Sequence, residues 1–309
     1  MPVMATLNLD AATAYAERHG LHALVVLAGD TVVAERYAGG WDATKPHALY
    51  SGTKSFWGVL AVAAEADGLL ALDEPVAATL PEWAHDPRKQ RVTLRQLLQL
   101  TSGIGFGGLG SAVPTFERAA AVEFKDEPGT RFTYGGIPLQ VFGAVLARKF
   151  GRAPHTLLHE RILDPIGLEV ARWRTLADGT QPLPTGAFLT AAEWLKFGRL
   201  VRDGGRWNGT PLVASDVLAR CFSGSAANPR YGLGWWLDPV ASAPGIVHAS
   251  GAGGQALYVI PSAGAVVVKF GDSSSYKHEA FLTRLLDIAA PSKRRPPATG
   301  GKRSGHAHT

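Results

Sequence analysis

A chain of 309 residues, 46% apolar and 18% charged, has the composition of a globular protein with a sizeable core and exceeds one average domain. Its net charge of +5 arises at the end of the chain, where Lys293, Arg294, Arg295, Lys302 and Arg303 follow the last acid, Asp287; without them the basic residues equal the 26 acidic ones. The balance argues against a nucleic-acid-binding face on the body and leaves a disordered basic tail over 291–309. Cys221 stands alone, which excludes an intrachain disulfide and a four-cysteine zinc site. No basic, apolar leader opens the chain and no run approaches the ~20 apolar residues of a membrane span, so the expectation is a cytoplasmic protein without a membrane partner.

In chain order, Asp10 is placed to cap a first helix over 11–19, ended by Gly20. Two β-rich runs, 23–28 and 31–37, flank Gly29 and Asp30 and predict a hairpin. Residues 55–66 are apolar all round, with Phe56, Trp57, Val59, Leu60 and Val62, and predict a buried helix. The middle is helical: Thr93 and Gln96 form one capping box, Thr190 and Glu193 a second, and Leu139, Phe142, Leu146 and Phe150 recur at helical steps. After residue 230 the runs 231–237, 245–248, 256–260 and 265–270 give three to four short strands. A last helix then presents Phe281, Leu282, Leu285 and Ile288. The late strands are expected to complete the sheet begun by the hairpin. The fold class is therefore α+β, with a sheet domain from 1–75 and 225–290 and an inserted helical lobe over 76–224.

The chemistry concentrates at Ser51-Gly-Thr-Lys54, which opens the buried helix. A spacing of three puts hydroxyl and amine on one helical face, within hydrogen-bond reach. Serine is a poor nucleophile until a base takes its proton, and lysine serves only when burial lowers its pKa. Phe56, Trp57 and Leu60 are suited to that desolvation. The helix N-terminus adds positive potential and backbone N–H groups. The pattern alone is weak, since Ser274-Ser-Tyr-Lys277 repeats it; only the first copy begins a buried helix just after a hairpin.

Around it, Leu49-Tyr-Ser-Gly-Thr-Lys54, Leu97-Leu-Gln-Leu-Thr-Ser-Gly-Ile104, Arg131-Phe-Thr-Tyr134 and Ala249-Ser-Gly-Ala-Gly-Gly254 occur in order. The series resembles the serine β-lactamase and penicillin-recognising superfamily over roughly residues 5–290. Within that superfamily it is similar to the class C-like branch with the family VIII carboxylesterases. The resemblance implies a five-stranded, mostly antiparallel sheet flanked by helices. It makes Ser51 the acylated nucleophile, Lys54 its base and Tyr134 the proton relay to the leaving group. It also implies an oxyanion hole from the backbone N–H groups of Ser51 and Ala252, and a substrate wall at Ala249, Ser250 and Gly251. Two positions depart from the family: Gly136 replaces the asparagine of the tyrosine motif, and Ala249 replaces the lysine of the strand motif. Losing an amide and a cation weakens charge-assisted recognition of a β-lactam, so poor β-lactamase activity is expected. The run 249–255 is similar to that of 6-aminohexanoate-oligomer hydrolases, which keeps amides open.

Other residues have plainer readings. Strand alternation puts His248 on the face opposite Ala249, as a core or hydrogen-bonded histidine. His155 and His159 lack the glutamate of a metalloprotease helix and read as a solvated face. The glycines of 103–110 lack a following Gly-Lys-Ser/Thr and read as a rim, not a phosphate loop; Trp235, Trp236 and Phe106 read as core or wall, and Tyr231 as a cleft residue. The expectation is a serine hydrolase without cofactor or metal, acting on a small-molecule ester, with an amide hydrolase or a non-catalytic binding protein as alternatives.

Overall fold

The computed structural model describes residues 6–108 and 112–288. Six strands form one antiparallel sheet: β1 (Leu21–Ala28), β2 (Thr31–Tyr37), β3 (Trp236–Leu237), β4 (Val247–Gly251), β5 (Gln255–Ile260) and β6 (Ala265–Gly271). Their spatial order is β2-β1-β6-β5-β4-β3. The first hairpin and the late strands join where β1 pairs with β6, Val25 opposite Val268. The sheet thus has six strands where the resemblance implied five. The extra one is the two-residue β3, held to β4 by the pairs Trp236–His248 and Leu237–Val247. Most of the run 231–237 is not strand; Tyr231 instead folds back onto Trp236 as an isolated bridge.

Alternation along the strands feeds two cores. Ala23, Val25, Leu27, Ala249, Leu257, Val266 and Val268 face one side, toward α2 (Lys54–Ala66) and α5 (Ala191–Arg202). Leu24, Val26, Ala256, Tyr258 and Val267 face the other, toward α1 (Leu9–Arg18) and α6 (His278–Leu285). Covered on both faces, β6 is buried at every residue, which explains its nearly continuous apolar run, interrupted only by Lys269. The first helix is capped by the Asn8 side chain rather than Asp10, two residues earlier than the sequence suggests.

The all-round apolar α2 is the central helix, buried from Lys54 to Ala64. Its packing is tight: a Cβ on Gly58 would lie 1.9 Å from the Leu233 carbonyl oxygen. Thr93 and Gln96 form the reciprocal box as read ahead of α3 (Leu94–Leu98). The second is half a box: Thr190 accepts from Glu193 N before α5, but the Glu193 carboxylate accepts from Glu169 N and Lys196 instead. The predicted periodic helix is α4 (Ile137–Phe150), with Gly136 as its N-cap. The basic run 291–309 lies outside the described residues. No helix among the described residues is long and apolar enough to cross a membrane.

Candidate active site

Ser51 sits in a single 3₁₀ turn, Tyr50–Thr53, that runs directly into α2, so Lys54 is the first residue of the helix proper. One turn apart, Lys54 Nζ and Ser51 Oγ are 2.9 Å from each other. Nζ also donates to the Pro184 carbonyl at 3.4 Å and lies 4.8 Å from the Tyr134 ring centroid. Lys54 is only 1% exposed, and burial pulls its pKa down to about 7. An amine at that value is half neutral near pH 7 and able to accept the serine proton.

Tyr134 approaches from the segment before α4. Burial raises its pKa, the Ser51 hydroxyl beside it pulling weakly the other way, so the phenol keeps its proton at neutral pH. An aromatic cluster fixes the ring. Trp236 stacks on it at 5.5 Å, and Tyr231 meets it edge-on at 6.1 Å. Tyr231 is buried behind Tyr134 and supports that ring; it is not among the residues lining the cavity.

Ser51, Lys54 and Tyr134 open into one cavity of about 580 Å3, together with Ser250, Gly251 and Ala252 from the end of β4 and the turn after it. The sequence-predicted residues therefore converge in space, with three placements that differ from expectation. Ala249 faces the core beneath the sheet, because β4 alternates and Ser250 takes the cavity side. Gly136 is not at the cavity surface, and a Cβ there would sit 1.9 Å from the Gly108 carbonyl oxygen. That backbone contact leaves no room for the family's asparagine. Tyr231 is the third.

The turn carrying Ala252 is pinned by Gln255. Its side-chain amide donates to the carbonyls of Ala252 (2.8 Å) and Gly271 (2.7 Å) and accepts from Gly271 N (2.9 Å). Gly251 lies so close to the segment leading into Ser51 that a Cβ would come within 2.1 Å of the Leu49 carbonyl oxygen. Side chain and backbone together hold the Ala252 turn against the start of α2.

Sequence reasoning missed His278. At the start of α6 it lines the cavity, with Nε2 2.9 Å from Ser250 Oγ and Nδ1 2.6 Å from the Tyr258 hydroxyl, which in turn contacts Tyr276 OH at 2.9 Å. Burial lowers its pKa to about 4, with Lys269 and Lys277 adding to the effect, so it is a neutral hydrogen-bonding group. No pattern in the sequence ties His278 to Ser250; only the α6–β4 packing does. His248 is buried, as alternation suggested, yet its ring reaches the cavity wall beside His278. His155 is buried against Trp57 and Trp173, not on a solvated face, and Phe106 is 71% exposed, not core. Gly108 of the glycine-rich segment lines the cavity, and Leu109 and Gly110 lie outside the described residues. Among the described residues no three His, Cys, Asp or Glu side chains converge to hold a metal.

The sheet, the helices on its faces and the serine–lysine pair define a serine-hydrolase architecture. The family model described as Beta-lactamase matches residues 10–289, and the chain belongs to that family. None of the curated proteins matches it. Among solved structures, it is similar to a Bacillus anthracis protein named for 6-aminohexanoate-dimer hydrolysis (TM-score 0.76, 20% identity, 89% of this chain and 80% of that one). EstCE1, described as a hydrolase with promiscuous acyltransferase activity, superposes with TM-score 0.73 at 17% identity over 91% of this chain and 97% of its own. A D-stereospecific amidohydrolase from Streptomyces gives TM-score 0.71 at 18% identity over 89% and 98%. At these identities the likeness is one of fold.

Proposed function

We propose that the protein hydrolyses carboxylic esters through an acyl-enzyme on Ser51. The observation that carries this reading is the 2.9 Å contact between Ser51 Oγ and a buried lysine whose pKa is drawn down to about 7. Neutral Lys54 accepts the hydroxyl proton as Oγ bonds to the carbonyl carbon. The resulting oxyanion is held by the backbone N–H groups of Ser51 and Ala252, each worth about 3–4 kcal/mol in comparable sites. The tetrahedral species collapses, the bond to the leaving oxygen breaks, and the Tyr134 phenol donates a proton to it, regaining one from Lys54. Water, deprotonated by the same residues, then attacks the acyl-enzyme and releases the acid and Ser51.

An amide substrate is the second reading. A phenol with a raised pKa holds its proton until a strongly basic leaving group needs it, which suits an amine as well as an alkoxide. The D-stereospecific amidohydrolase and the protein named for 6-aminohexanoate-dimer hydrolysis support keeping it. β-Lactam turnover is expected to be slow, because Ala249 supplies no cation and Gly136 no amide; rapid nitrocefin hydrolysis would refute that.

The primary test is intact-protein mass after fluorophosphonate treatment, with wild type beside Ser51→Ala. One adduct on wild type, absent from the variant, supports the nucleophile. No adduct on either favours a non-catalytic binding protein. Matched ester and amide substrates then separate the two hydrolase readings.

A further inference from the structure

A second cavity, of about 490 Å3, lies beyond the residue that precedes the nucleophile. Tyr50 and Ala252 line both hollows and form a saddle between them. Tyr50 has φ of 47°, a left-handed conformation that a bulky side chain adopts only where its surroundings enforce it, and it remains 43% exposed at this saddle.

The second cavity has a flat aromatic wall. Trp41 stacks on His22 with centroids 4.8 Å apart, and His47 stacks on Phe270 at the same separation. Hydrogen bonding settles the tautomers of both histidines. His47 Nδ1 is 2.9 Å from the Ala48 carbonyl oxygen, which can only accept, so Nδ1 carries the proton. In neutral His47 the Nε2 is then a lone pair, and it lies 3.0 Å from His22 Nδ1, which must be the donor. His22 Nε2 is left as an acceptor. Burial lowers the pKa of both rings, which keeps them neutral at pH 7. Exposed Asp272 adds a second acceptor at the rim, and no Lys or Arg is among the described residues lining the cavity.

We propose that this second cavity is the acyl subsite of the enzyme and takes an acyl chain ending in an aromatic ring that bears an O–H or N–H donor. The inference rests on the Ser51 acyl-enzyme reading for its direction. Tyr134, the proton donor to the leaving group, lines the first cavity and not the second. The leaving group therefore departs into the first cavity, and the acyl chain is the arm that crosses the Tyr50–Ala252 saddle.

The ring site is tested without catalysis by titrating 4-ethylphenol into Ser51→Ala in a calorimeter, with 4-ethylanisole as the partner lacking the donor. The phenol is expected to bind more tightly than the anisole. Trp41→Ala should weaken the phenol by about tenfold, the scale of one lost aromatic contact. His22→Phe keeps the ring and removes one of the two acceptors, and should reduce the preference for phenol over anisole; an unchanged preference overturns the role of His22 as the acceptor. Equal binding of the two fragments, or no change in Trp41→Ala, overturns the site. Direction is tested by kcat/KM for 4-nitrophenyl 3-(4-hydroxyphenyl)propanoate relative to 4-nitrophenyl acetate. That ratio should fall about tenfold in Trp41→Ala, and an unchanged ratio overturns the acyl assignment. Full turnover by Ser51→Ala would instead end the acyl-enzyme reading, with the ring site still decided by the fragments.

Discussion

Two lysines are buried among the described residues, one at each face of the sheet. Lys54 begins α2 beneath the cavity, and Lys269 lies on β6 over the Tyr276 ring at 4.1 Å. Burial lowers both, Lys54 to about 7 and Lys269 to about 8, a nearby Asp272 partly restoring the latter. By pKa alone they are near twins. Their partners differ: Lys54 meets a hydroxyl and a carbonyl, whereas Lys269 Nζ has no hydrogen-bond partner among the described residues. Only Lys54 lines the cavity. Desolvation thus makes a lysine available as a base, but geometry and access decide whether anything is there to deprotonate.

Substitutions can break this contrast, beginning with the largest effect. Ser51→Ala should lower ester kcat/KM by on the order of 10^4-fold or more, measured with 4-nitrophenyl acetate. Lys54→Met should cost about 10^3-fold or more. In wild type, log kcat/KM should rise with pH up to about 7, where Lys54 becomes neutral, and then level off. A flat profile between pH 5 and 9 would remove Lys54 from the role of base. Tyr134→Phe should cost about 10^2-fold, more for an amide than for an activated ester, because only the poor leaving group needs the proton.

Lys269→Met supplies the other half of the comparison: ester turnover within a few-fold of wild type and higher stability. In the unfolded chain Lys269 titrates near its ordinary 10.5, and in the folded protein near 8. Between these values the unfolded state binds the extra proton, so stability rises as pH increases from about 8 to about 10.5. Below that window the lysine is charged in both states and its burial cost is fully expressed. Replacement by methionine should therefore add about 1–3 kcal/mol at pH 7, read by chemical denaturation, and flatten the alkaline rise. A destabilised variant would mean that the contact with Tyr276 outweighs desolvation.

The contact between Ser51 and Lys54 is legible in the sequence because one helical turn is enough to set it: three residues of spacing at the start of an apolar helix fix both geometry and burial. The same four-residue pattern at Ser274 and Lys277 carries no such information, since Lys277 is exposed ahead of a short helix. Strand periodicity gave the hairpin and the late strands for the same local reason. What stayed hidden depends on distant segments. The motif places Ala249 on the cavity wall, but the face each β4 residue takes follows from its pairing with β5, which puts Ser250 opposite Ala256 and toward α6. His278 meets Ser250 across 28 residues, and Tyr231 backs Tyr134 across nearly a hundred. The sixth strand is two residues long and exists only because β4 offers an edge to pair with.

The close approach at Gly136 also limits which substitutions the present backbone tolerates. With the Gly108 carbonyl 1.9 Å from where a Cβ would sit, the codon for residue 136 cannot drift toward asparagine while the neighbouring loop keeps its course. At residue 249, turned into the core, a lysine would have to bury its ammonium. Antibiotic selection acting one substitution at a time would find both uphill, because each becomes tolerable only after the backbone around it has shifted. Side chains at the rim of the cavity, such as Ser250, meet no such backbone barrier, so substitution there can reshape the site without moving the main chain.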